Sequence, residues 1–176
     1  IIEDPSLLKC LQNLAYDQFY CEHIYVFSTL ALREVLKSFK LEIFDVENTK
    51  THGGSNRYYI KKNTNSLYKI NNRVNAEIKK ELQFGLNKFS TYQKFAKNVK
   101  ISKSKLLKIF SSLNKKKLRI IGYGATAKSC TVLNYCGLGK SDIKYFYDTT
   151  SYKVNKYLPG SKILIKKYKK LDNKEI

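Results

Sequence analysis

The chain has 176 residues, a formal charge of +20 and 43% hydrophobic residues, enough for one domain or one domain with an appended piece. That apolar fraction is too high for a disordered basic tail. No apolar run reaches the roughly 18 residues needed to span a bilayer, and no basic segment leads into an apolar one as in a secretion signal. The chain opens Ile1-Ile2-Glu3-Asp4 without methionine, as a piece of a longer protein would, and residues 1–27 read as starting in mid-structure. Ser28 caps a helix expected to run to Phe39, with Leu32, Val35, Leu36 and Phe39 on its apolar face. Leu41 to Val46 reads as a strand, Thr51 to Ser55 as a turn and Asn56 to Lys61 as a second strand. After a polar loop at 63–72, Ile70, Val74, Ile78 and Leu82 predict a helix to Phe84, stopped by Gly85. Ser90 or Thr91 caps a longer one to Leu113, carrying Tyr92, Phe95, Ala96, Val99, Leu106, Phe110 and Leu113, with a break expected near Ile101-Ser102. Leu118 to Tyr123 is a continuous apolar run, as in a buried parallel strand. A helix from Gly124 to Tyr135 ended by Gly137, a strand from Ile143 to Tyr147, a turn at Pro159-Gly160 and a short strand from Lys162 to Ile165 follow. This β-α-β order predicts an α/β fold with a mostly parallel sheet.

Of the 34 basic residues only Arg33, Arg57, Arg73 and Arg119 are arginines. The lysines accompany many Asn, Ile and Tyr residues, all encoded by AT-rich codons, and are dense only at Lys115 to Lys117 and Lys166 to Lys170. A solvated, compositionally biased surface is therefore expected, with no nucleic-acid partner and no membrane partner. Cys10, Cys21, Cys130 and Cys136 show no C-x-x-C spacing and form no zinc pattern with His23 and His52. Reduced thiols, no metal site and a cytoplasmic location are the expectation.

Three short segments carry residues capable of chemistry. Gly122-Tyr123-Gly124-Ala125-Thr126-Ala127-Lys128 follows a predicted strand and opens a predicted helix, reading G-x-G-x-x-A. Such a turn lets a phosphate approach the backbone at a helix N-terminus, Lys128 can reach it, and Asp148 ends the next strand where a ribose-binding acid would sit. Alone it suggests a dinucleotide site in a nicotinamide-dependent oxidoreductase, although such turns also occur simply for tight packing. Tyr20-Cys21-Glu22-His23 gathers groups suited to general acid–base work, yet a histidine among aromatics is more often a packed, hydrogen-bonded residue. His52-Gly53-Gly54-Ser55 lies in a turn where glycine supplies positive φ.

The three segments occur in order, with Tyr25-x-Phe27-Ser28, Thr51, Arg57, Leu133-Asn134-Tyr135-Cys136-Gly137 and Tyr157-Leu158-Pro159-Gly160 around them. This ordered set resembles the C-terminal part of the sugar C-methyltransferases that depend on S-adenosylmethionine. The resemblance implies a nucleotide-linked 4-keto deoxysugar substrate, methylated on the carbon next to the ketone. It implies catalytic roles for Tyr20, Glu22 and His23, with His23 the candidate base, and a substrate cleft lined by His52 and Ser55. It turns Gly122, Gly124, Ala125, Thr126, Lys128 and Asp148 toward the substrate's pyrophosphate and away from a nicotinamide cofactor. Family members carry an N-terminal zinc-binding cysteine cluster and a central domain for S-adenosylmethionine; this sequence shows neither pattern, has Cys21 where members often have histidine, and reads as shortened at Lys174-Glu175-Ile176. The expectations are a Rossmann-like three-layer lobe, residues 118–176 with preceding helices from 78, behind a helical connector at 63–117. Residues 1–62 would supply a helix and strands packing on a missing methyl-donor domain. Leu7, Leu8, Leu11 and Leu14 would then be exposed, and the partner would be that domain or another copy of the chain.

Overall fold

In a computed structural model, which describes residues 1–170, the chain divides into two compact units, Ile1–Asn98 and Val99 onward. The expectation about Lys174 to Ile176 lies outside the described residues. The architecture is mixed α/β, with a three-stranded antiparallel sheet in the first unit and a three-stranded parallel sheet in the second.

The first sheet has strand order β1-β3-β2, where β1 is Ile2–Pro5, β2 is Leu41–Thr49 and β3 is Ser55–Lys62. Helices α1 (Leu7–Gln12), α2 (Thr29–Ser38) and α3 (Asn72–Phe84) are each started by a side-chain cap. The Ser6, Ser28 and Asn71 oxygens accept the backbone N–H groups of Lys9, Ala31 and Arg73, satisfying donors that a helix start leaves open. Gly85, at φ 91, closes α3 as expected. Leu32 and Leu36 of α2, Ile43 and Val46 of β2, Tyr58 of β3, and Val74 and Ile78 of α3 make one core.

Several expectations are corrected here. Residues 1–27 hold a strand and a helix of their own. Leu8 and Leu11 are buried with Cys10 and Leu86, and Leu7 and Leu14 are half-buried. The apolar run at 7–14 finds its partner within the chain. Val35 and Phe39 are exposed on α2, as are Ile70 and Leu82 around α3. Glu77 and Glu81 take the inward positions on α3 instead, because both Glu81 oxygens accept N–H groups at the start of α2, from Thr29 at 2.7 Å and Leu30 at 2.9 Å.

The boundary between the units falls within α4 (Phe89–Lys115). The helix has no break at Ile101-Ser102, since no Gly or Pro interrupts its 27 residues. Only Val99 of its predicted stripe is fully buried, while Leu106 and Phe110 pack half-buried on the second core.

The second sheet has order β4-β5-β6, from Gly122–Tyr123, Phe146–Asp148 and Ile165–Lys167, with α5 (Ala127–Cys136) between β4 and β5. The predicted strand at Leu118 is shorter because the Leu118 N–H still bonds Leu113 at the end of α4. The parallel ladder begins only where Lys144 donates to Ile120. Ile143, Phe146, Leu133, Leu158, Ile163 and Ile165 fill the core beneath. Among the described residues no helix is long and apolar enough to cross a membrane.

Candidate functional site

In the first unit, the chain leaves α1 through a 3-10 turn at Tyr16–Gln18 and then a turn in which the His23 N–H bonds the Tyr20 carbonyl at 2.9 Å. This folds His23 back on its own segment. Its Nδ1 lies 2.9 Å from the Gln18 carbonyl oxygen. A carbonyl only accepts, so Nδ1 carries the proton and neutral His23 keeps its lone pair on Nε2. Nε2 lies 3.2 Å from the Tyr20 hydroxyl, which donates to it. Burial first, and the nearby Glu22 charge second, push the Tyr20 phenol up, so it stays protonated at neutral pH. Glu22 and Cys21 are exposed on the same turn. The segment therefore holds an imidazole in the tautomer a base needs, with an O–H donor against its reactive nitrogen.

The second histidine comes from the turn between β2 and β3. His52 adopts left-handed backbone angles, φ 53 and ψ 24, which a non-glycine residue takes at a cost. Its ring centroid is 5.4 Å from that of His23 and nearly perpendicular to it. Gly54 follows at φ 128, where a side chain would also run into Lys9. Ser55 is buried, and its hydroxyl donates to the Thr51 carbonyl at 3.0 Å, closing the turn. Glu3 of β1 accepts from the hydroxyls of Thr51 and Thr49 and pairs with Arg57. The hydrogen bonds from Thr51 and Arg57 hold its carboxyl below the usual range.

Sequence reasoning missed two residues of this cluster. Gln18 is buried and its side-chain N–H donates to the His52 carbonyl at 2.6 Å. Asp4 accepts the Phe27 N–H at 3.3 Å. Burial pushes the Asp4 carboxyl up, and the Phe27 N–H works against that rise. Neither has a local signal. Asp4 arrives through the register of β1 on β3, where it pairs with Asn56.

In the second unit, Gly122 lies against the ring of Phe146 with no room for a side chain, and Gly124 turns the chain at φ 85. Thr126 caps α5, its hydroxyl oxygen accepting the Ser129 N–H at 3.1 Å, while the Ser129 hydroxyl donates to the Gly124 carbonyl. Thr126 is exposed and Lys128 half-exposed in the first turn of α5. Ala125 is buried and donates its N–H to Asp148 Oδ2 at 2.7 Å. Asp148 Oδ1 accepts the Thr150 N–H at 2.8 Å, and Lys153 Nζ lies 3.6 Å from Oδ2. The buried Asp148 thus spends its carboxylate on the turn itself and is not presented as an acid for ribose hydroxyls. Among the described residues no three His, Cys, Asp or Glu side chains group to hold a metal ion.

Burial alone would raise the Asp148 carboxyl, but the Thr150 and Ala125 hydrogen bonds and the Lys153 charge outweigh it and lower it. Stability from such a group is fully present above the pKa of the unfolded carboxyl and is lost as pH falls through the folded value. In acid titrations of denaturant stability, wild type should lose stability through that window and Asp148→Asn should lose less. At neutral pH the variant should be weaker by about 1–3 kcal/mol, because asparagine faces one backbone N–H with its own amide donor.

Residues 50–175 match the family described as C-methyltransferase C-terminal domain. The chain is also 29% identical over 164 residues to C-methyltransferase NovU of Streptomyces niveus. That similarity covers 93% of this chain and 39% of the relative.

Proposed function

This chain belongs to the C-methyltransferase C-terminal domain family, and from that membership we propose that it is the substrate-binding and proton-abstracting portion of an enzyme that methylates a nucleotide-linked keto sugar on carbon. The hydrogen-bonded row Gln18 carbonyl, His23, Tyr20 is the observation that carries this reading. A hydrogen on the carbon next to a ketone is weakly acidic. His23 Nε2 takes that proton, the C–H electron pair enters the enolate, and negative charge grows on the former ketone oxygen. Tyr20, kept protonated, is the adjacent O–H donor, turning its proton from Nε2 to that oxygen as the substrate enters. His52 stands beside His23, its ring centroid 5.4 Å away, and Glu22 is exposed on the same turn as His23. In the second unit, the amides at the start of α5, with Lys128, suit the phosphates of a nucleotide, and Asp148 serves as the strut beneath that turn.

The methyl group in such chemistry is supplied by S-adenosylmethionine. Among the described residues, Asp148 at the end of β5 does not fit that nucleoside's ribose hydroxyls: it is buried, and both of its oxygens accept backbone N–H groups. We assign the donor's site to residues outside this chain, which spans 39% of the curated relative's length, and expect the chain alone not to methylate. A calorimetric titration with a nucleotide-linked 4-keto deoxysugar tests the reading. The expected result is binding that Lys128→Ala weakens by about tenfold, the equivalent of roughly 1.4 kcal/mol for one charge-assisted contact. Absence of binding, or tight binding of NADH in its place, contradicts it.

A further inference from the structure

We infer that Gln18 is a positioning residue, the clamp that holds His52 beside His23; its relevance to proton abstraction rests on the reading of His23 as the base. Gln18 is 3% exposed, and its two ends engage both histidine-bearing segments. Its backbone carbonyl fixes His23 through Nδ1 at 2.9 Å, and its side-chain amide reaches across 34 residues of sequence to the His52 carbonyl at 2.6 Å. The second bond acts on the residue that needs it. His52 sits at φ 53 with a Cβ, a conformation that surrounding structure must impose. Gly53 and Gly54 follow it and add backbone freedom. Other ties run to its neighbours: Glu3 to Thr51, Ser55 to Thr51, the Asn13 side-chain amide to the Gly53 carbonyl at 3.4 Å, and Ser6 N–H to the Gly54 carbonyl. The Gln18 amide is the side-chain bond received by His52 itself.

The other end of the amide argues against a packing role. Gln18 Oε1 is buried with no hydrogen-bond partner among the described residues, a cost that an apolar side chain of the same volume would avoid. A glutamine is retained there, on this argument, for the donor that faces His52. Its position in sequence, at the end of the 3-10 turn and five residues before His23, couples the two histidine-bearing segments through one residue.

The chain has only two histidines, so imidazole NMR spectra of the full chain report both without ambiguity. In wild type, His23 should show the Nδ1–H tautomer and through-space cross-peaks to the His52 ring. Gln18→Met and Gln18→Leu remove the donor at similar volume. Both should lose the inter-ring cross-peaks while His23 keeps its tautomer, because the residue-18 carbonyl survives. A merely structural role would not separate these two readouts. Retained cross-peaks in either folded variant would overturn the inference, as would their absence in wild type. Loss of the folded spectrum in both variants would also overturn it, by making Gln18 a residue that holds the fold. None of these readouts depends on substrate, so failure of the clamp and failure of the sugar-methylation reading are told apart.

Discussion

Replacing His23 with alanine should slow proton abstraction from the carbon next to the ketone by about 10²–10⁴-fold, the usual contribution of a positioned general base. Substrate binding should change little, because the phosphate contacts proposed at α5 belong to other residues. The size of the effect follows from preorganisation. The Gln18 carbonyl fixes the tautomer and the ring plane, and the Tyr20 ring lies tilted against that of His23 at 4.3 Å between centroids while its hydroxyl donates to Nε2. Alanine removes the base and leaves the segment's backbone hydrogen bonds intact. Rates of hydrogen exchange at that carbon, followed by NMR at saturating substrate, check the prediction.

Glu81→Ala should be the most damaging single change to the first unit, costing about 3 kcal/mol or more. Its carboxylate is fully buried and caps α2 from α3 by accepting the Thr29 and Leu30 N–H groups. Alanine would leave two buried donors unsatisfied, at about 1–3 kcal/mol each. The same cap leads into a polar chain within the core: Thr29 Oγ1 to Tyr58 at 3.4 Å, Tyr58 to Asn56 at 3.1 Å and Asn56 to Asn48 at 2.7 Å. Burial pushes the Tyr58 phenol up to about 12. Burial likewise raises the Glu81 carboxyl, against the pull of its hydrogen bonds. The sign of the resulting pH dependence is opposite to that of Asp148. A raised carboxyl binds its proton more tightly in the folded state. Its contribution is fully present below the unfolded pKa and is lost as pH rises through the folded one. Glu81→Gln should flatten that slope and cost less than alanine, since one acceptor remains. Denaturant melts across the acid range, followed by a probe in the first unit, separate the three proteins.

The parts of the fold legible in the sequence are those set within a few residues. Ser28 at the start of α2, Gly85 and Gly137 at helix ends, and the Gly122–Lys128 turn all depend on local backbone chemistry, and each stands where expected. Apolar periodicity served less well where a polar partner from another element intervened. Glu77 and Glu81 are buried on α3 while Ile70 and Leu82, which share the apolar spacing, are exposed, because the N–H groups of α2 await a carboxylate there. The strand β1 and helix α1 were illegible for a related reason: four residues of edge strand carry little pattern, and their partners in β3 lie fifty or more residues away. The same long range hid Asp4 and Gln18 from the site. Tyr20, His23 and His52 were visible as residue types, but only the folded turn shows which imidazole nitrogen meets the Gln18 carbonyl and which meets the Tyr20 hydroxyl.

The most direct measurement is deuterium incorporation from D2O into a nucleotide-linked 4-keto deoxysugar, incubated with this chain without any methyl donor. Incorporation at the carbon next to the ketone, faster than in buffer and lost in His23→Ala, is the predicted result. A chain that binds the nucleotide sugar yet exchanges that hydrogen no faster than buffer, or a His23→Ala variant as fast as wild type, would contradict the assignment of His23 as the base.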